Sequence, residues 1–172
     1  MSYPKKVTGG CLCGGVRFEI NFSPDHNWKT GPHTCQCTQC RKNSGSLIYT
    51  FHTAHAKELT WLSQSTYQEY NSSPGCYRAF CNNCGSSLGW TDQKKGANTD
   101  WELAVGTFDE EFLLGKRDEE GVLRGGYGVA LANFGGPHFW VQNEIPGVTG
   151  GICKGGTRFW EGSKGPVSGG TE

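Results

Sequence analysis

The sequence predicts a mainly β domain built of small sheets, and three observations predict it. Short runs of alternating apolar and polar residues recur along the chain, glycine is abundant at 27 of 172 residues, and clusters of turn-forming residues separate the runs. Alternation places every second side chain on one face of a strand. Glycine-rich punctuation at close spacing favours strands and turns over long helices.

The runs follow in order. The first is 16–22 (VRFEINF), and others lie at 46–52, 58–62, 66–70, 76–80, 86–91, 101–105 and 138–142. Turn signals stand between them at Ser23-Pro24-Asp25, Asn71-Ser72-Ser73-Pro74-Gly75 and Lys94-Lys95-Gly96-Ala97-Asn98. One short helix is expected over 109–114 (DEEFLL), stopped by Gly115. Residues 115–128 read as a polar, glycine-rich surface loop. The chain is assigned one domain, 1–146. Residues 147–172 form a Gly-rich C-terminal segment, partly docked through Arg158-Phe159-Trp160, with a mobile end.

Lys plus Arg and Asp plus Glu both number 16, so the formal net charge is zero. No global field favours nucleic acid or an anionic membrane, and no nucleic-acid partner is expected. The opening MSYPKKVTGG has no apolar signal core, and no run approaches the roughly 18 apolar residues of a membrane span. A cytoplasmic location is therefore expected. In a reducing compartment, clustered cysteines point to metal or catalysis more than to disulfides, and an odd count of nine fits a disulfide framework poorly.

Seven of the nine cysteines fall in three groups: Cys11-Leu12-Cys13, Cys35-Gln36-Cys37-Thr38-Gln39-Cys40, and Cys81-Asn82-Asn83-Cys84. Close spacing brings sulfurs to one side of a tight turn, as a tetrahedral zinc requires. Two pairs supply four sulfurs, enough to close one shell. The middle group supplies three and leaves a position open, as catalytic zinc sites do. The count alone does not fix the partners. Cys11 and Cys13 are assigned with Cys81 and Cys84 because a three-ligand run cannot share evenly with either pair. Two zinc ions per chain are expected. Two other readings stay open: a redox-active Cys-x-x-Cys, and a second closed site completed by Cys76, Cys153, His33, His55 or His138.

These motifs carry a resemblance. Gly10-Cys11-Leu12-Cys13-Gly14, then Cys35-x-Cys37-x-x-Cys40-Arg41-Lys42 with Ser44-Gly45-Ser46, then Arg78-x-Phe80-Cys81-x-x-Cys84-Gly85-Ser86, resemble the family of glutathione-dependent formaldehyde-activating enzyme and centromere protein V. The likeness runs from about residue 8 to about residue 108. It implies an Mss4-like fold of small antiparallel sheets, a structural zinc on Cys11, Cys13, Cys81 and Cys84, and a catalytic zinc on Cys35, Cys37 and Cys40. It also implies carbon–sulfur lyase chemistry, the reversible joining of glutathione to formaldehyde to give S-hydroxymethylglutathione. One position departs from the family pattern: Gln36 stands where a histidine is usual, and a carboxamide cannot shuttle a proton near neutral pH.

Further candidates surround the open site. Arg41 and Lys42 follow the third ligand and are candidates to offset thiolate charge or hold a substrate carboxylate. Ser44 and Ser46 are candidate hydrogen-bond donors to a ligand sulfur. Arg78 shares a strand face with Phe80 and is a candidate pocket residue. His33, two residues before Cys35, is the first histidine to consider for proton transfer. The expected partner is a small molecule, glutathione or its adduct. The competing readings are the same zinc site acting on another substrate of specialised metabolism, and a non-enzymatic zinc-stabilised binding module.

Overall fold

The computed structural model describes residues 2–92, 98–153, 155–162 and 164–166, the last three by backbone alone. It is mainly β. The strands are β1 (Lys6–Gly10), β2 (Val16–Asn21), β3 (Pro32–Cys35), β4 (Tyr49–Ala54), β5 (Leu59–Gln64), β6 (Tyr67–Ser73), β7 (Cys76–Cys81), β8 (Ser87–Asp92), β9 (Trp101–Ala104), β10 (Gly115–Arg117), β11 (Leu123–Gly125), β12 (His138–Phe139), β13 (Arg158–Glu161) and β14 (Lys164–Pro166). Three short helices join them: α1 (Thr38–Ser44), α2 (Glu110–Leu113) and α3 (Gly128–Ala132).

Three sheets result. One is the antiparallel set β1-β2-β5. One is the exposed hairpin β10-β11, inside the segment expected to be a loop. The largest runs β14-β13-β12-β3-β4-β9-β8-β7-β6. It is antiparallel except where β12 pairs parallel with β3 and with β13. Those two parallel pairings bring the late chain back beside the Cys35 strand. Arg158 and Phe159 lie in that sheet, in register with His138 and Phe139.

Alternation decides which face of the large sheet is core. Ala54, Leu103 and Leu131 are buried with Val7, Phe18 and Ile20 of the small sheet in one apolar cluster. A leucine- or phenylalanine-sized side chain fully buried there contributes about 1.5–3 kcal/mol. The residues between them in sequence, such as Thr53 and Glu102, turn to the opposite face, and that face carries the candidate site. Two smaller clusters form around the cysteine groups, Val16, Ala79 and Leu88 at one and Tyr49, Phe51 and Ala104 at the other.

The helix expected over 109–114 is α2, preceded by Asp109. The turn signal at 94–97 and most of the C-terminal end lie outside the described residues. Among the described residues, no helix is long and apolar enough to cross a membrane.

Candidate metal centres and active-site cavity

The first cysteine cluster joins the turn after β1 to the turn after β7. Cys11 opens the turn after β1, Cys13 lies within it, and Cys81 and Cys84 bracket the turn after β7. The Sγ atoms of Cys11 and Cys13 lie 3.5 Å apart, those of Cys13 and Cys81 3.6 Å apart, and all four fall within 4.8 Å of one another. A tetrahedron with bonds of about 2.3 Å sets sulfurs roughly 3.8 Å apart, so the cluster suits a metal. All nine cysteines are unbridged. Backbone N–H groups donate to the sulfurs: Val16 to Cys11 at 3.2 Å and Cys84 to Cys81 at 3.4 Å. The Thr66 hydroxyl stands 3.1 Å from Cys81 Sγ. Hydrogen bonding, first of all from the Ser86 hydroxyl, brings the Cys84 thiol down to about 5. These bonds favour the Cys84 thiolate before any metal arrives, while burial pushes the Cys11 thiol up.

The second cluster is built by a strand running into a helix. Cys35 ends β3. Cys37 is the N-cap of α1, and its Sγ accepts from the Cys40 N–H at 3.3 Å. One helical turn then puts Cys40 on the same side. At the far end Gly45, at φ 71, takes the left-handed conformation and donates to the Arg41 carbonyl, a standard way to stop a helix. The motif from Cys37 to Gly45 is therefore one capped helix.

Cys35 and Cys40 are buried, Cys37 is half-buried, and the three do not all ionise together unaided. Hydrogen bonds from the Cys35 thiol and then the Cys40 thiol pull Cys37 down to about 2, while Cys35 is driven far up, first by its bond to Cys37. One negative charge is favoured and the others are resisted, so a cation held among the three would stabilise their thiolates. Arg78, 5% exposed, aims its Nη2 at Cys40 Sγ at 3.5 Å.

These sulfurs line a cavity of about 470 Å³ on the solvent-side face of the large sheet. Its walls are aromatic at Phe51, Trp90, Phe139 and Trp140. Its polar groups include Thr30, His33, Gln39, Thr53, Arg78 and Glu102. Trp140 has φ 62, a left-handed conformation uncommon for a bulky residue and typical of strain held at a functional position.

The chain matches the family described as glutathione-dependent formaldehyde-activating enzyme over residues 6–120. The chain belongs to this family. No curated protein matches it. A crystal structure of a Rhodobacter sphaeroides protein is similar at 20% identity, covering 58% of this chain and 85% of that one, with a TM-score of 0.46.

The fold places the remaining sequence candidates unevenly. His33 and Arg78 line the cavity. Gln36 does not. It is fully buried on the other side of β3, where its Oε1 accepts from Thr149 Oγ1 at 2.8 Å and from Arg41 Nη2 at 3.1 Å. Arg41 also donates to the carbonyls of Leu47 and Asn143. Lys42 is exposed and away from the cavity. Ser44 Oγ donates to the Cys40 carbonyl and Ser46 Oγ to the Ile48 carbonyl, so both close turns and neither reaches a sulfur.

Sequence reasoning missed Glu102. Its signal was present, since Trp101-Glu102-Leu103-Ala104 alternates and puts Glu102 opposite the core residue Leu103. A third group, His26, His55 and Glu58, also clusters. Glu58 there already accepts from the Ser23 N–H and hydroxyl and the His55 N–H, and His26 faces Glu58 and His52 with its two nitrogens. That network is closed by the protein itself.

Proposed function

We propose that this protein is a zinc-dependent carbon–sulfur lyase-type enzyme acting on the adduct of a glutathione-type thiol with an aldehyde. The observation that carries the reading is the convergence of Cys35, Cys37 and Cys40, with Arg78, on an aromatic-walled cavity. Four cysteines that do not line this cavity serve as a structural zinc site, and three that line it leave a place for substrate.

When bound at Cys35, Cys37 and Cys40, zinc supplies an electrophile that can hold a substrate sulfur as its thiolate or polarise a carbinol oxygen. Arg78 offsets the single negative charge that three thiolates around a dication leave, which a buried site would otherwise disfavour. Trp90, Phe139 and Trp140 exclude water from the reacting carbon. In the adding direction the sulfur–carbon bond forms, the carbonyl π pair moves to oxygen, and the thiol proton ends on that oxygen. His33 is the cavity group placed to take or return a proton there. Gln36 is remote from the cavity and has no part in that transfer. Nine unbridged cysteines suit a reducing compartment such as the cytoplasm.

The aromatic walls favour a second, narrower reading, in which the aldehyde partner is larger than formaldehyde. Two-dimensional exchange NMR on glutathione with formaldehyde, and with an aromatic aldehyde, tests both. Zinc-loaded protein should speed exchange between free thiol and hemithioacetal. No acceleration with either aldehyde would contradict the lyase reading.

A further inference from the structure

The large sheet sets a row of unlike side chains across the cavity floor. Arg78 on β7 is in register with Trp90 on β8, Trp90 with Glu102 on β9, and Glu102 with Thr53 on β4. Residues directly opposite in an antiparallel ladder share a face. The row therefore reads guanidinium, indole, carboxylate, hydroxyl, and all four side chains line the cavity.

Both charged members have unused capacity. Arg78 spends Nη2 on Cys40, but its Nε and Nη1 are buried with no partner among the described residues. Buried donors without acceptors are uncommon, and a guanidinium in that state awaits an anion. Glu102 is held by one oxygen: Oε2 accepts from Thr53 Oγ1 at 2.9 Å and lies 3.4 Å from His33 Nε2. Its other oxygen has no partner among the described residues. Arg78 and Glu102 do not neutralise each other, because they stand two strand spacings apart, roughly 9.5 Å.

That separation limits the ligand. An α-amino acid carries its ammonium and carboxylate on one carbon and cannot reach both ends of the row. Three residues of extended chain span roughly 10 Å and can. We infer that Arg78 and Glu102 are paired recognition subsites for a peptide-like zwitterionic thiol, Arg78 taking its C-terminal carboxylate and Glu102 its N-terminal ammonium, with Trp90 flooring the chain between them. This rests on the functional reading above and names the substrate groups that reading leaves open.

The test is isothermal titration of zinc-loaded protein with three probes: glutathione, glutathione with its glycine carboxylate amidated, and glutathione acetylated on its amino nitrogen. Arg78→Gln should weaken glutathione binding roughly tenfold or more and leave the amide unchanged, since a hydrogen-bonded charge is removed only where one is present. Glu102→Gln should weaken glutathione by a similar factor and leave the acetylated form unchanged. Equal weakening of all three probes by both variants, or weakening of none, overturns the assignment alone. Failure of wild type to bind glutathione at all overturns the functional reading as well. Arg78 touches a candidate ligand, so zinc content is measured on each variant. If Arg78→Gln loses metal, the Glu102→Gln arm decides.

Discussion

Gln36 Oε1 accepts a hydrogen bond from Thr149 Oγ1 at 2.8 Å, a contact between residues 113 positions apart. The same carboxamide accepts from Arg41, while Asn143 Nδ2 donates to the Gln36 carbonyl. Gln36 thus pins the segment after β12 against β3, behind the cysteines. Gln36→Met leaves the buried Thr149 hydroxyl without its acceptor and removes one of the three acceptors of Arg41, and should destabilise the domain by about 1–3 kcal/mol, read by urea unfolding. Activity per folded molecule and its pH profile should hold. A shifted pH profile would place Gln36 in the chemistry.

Gly89 lies on β8 against β9 at φ 151. A Cβ there would stand 2.3 Å from the Glu102 carbonyl oxygen and 3.0 Å from Leu103 Cα, both backbone atoms with little room to yield. Gly89→Ala should therefore displace β9, destabilise by about 1–3 kcal/mol and weaken ligand binding through Glu102. A thermal midpoint equal to wild type would contradict this packing.

His52 is fully buried, and burial pushes it down to about 3 from its ordinary 6.5. Its Nδ1 donates to the Leu131 carbonyl, which fixes the tautomer, and burial outweighs that bond to keep the ring neutral. The folded state binds fewer protons here than the unfolded chain. Stability from this group is present above pH 6.5 and is lost as pH falls toward 3, by at most about 1.4 kcal/mol per pH unit. His52→Asn should flatten unfolding free energy against pH in that window. Loss of metal at acid pH is common to both proteins, so the difference in slope is the readout. Parallel curves would show that His52 titrates normally.

Much of this was legible in the sequence because cysteine spacing is a local signal. The ligand groups, the alternating strands and the family motifs all lie within short stretches. What stayed hidden depends on distant pairing. β3 is four residues ending in a cysteine, too short to show alternation, and its sheet partners come from 49–54 and 138–139. α1 has no apolar stripe and is capped by a thiol, so nothing marks it as a helix in sequence. Gln36 looked like a lost proton carrier because it sits between two cysteines. Side chains next to each other on a strand point to opposite faces, and that alternation takes Gln36 out of the cavity. Arg41 and Lys42 follow Cys40 in sequence, yet the cation at the sulfurs is Arg78, brought from β7.

The division of seven cysteines into a fold-holding set and a cavity set is the central claim. Zinc content measured beside far-UV circular dichroism on wild type, Cys37→Ala and Cys84→Ala tests it most directly. Wild type should hold about two zinc ions, Cys37→Ala about one with its spectrum intact, and Cys84→Ala should unfold, because a structural zinc contributes folding free energy outright. If Cys37→Ala and Cys84→Ala unfold alike, the cavity cysteines are structural and the open-site account is wrong.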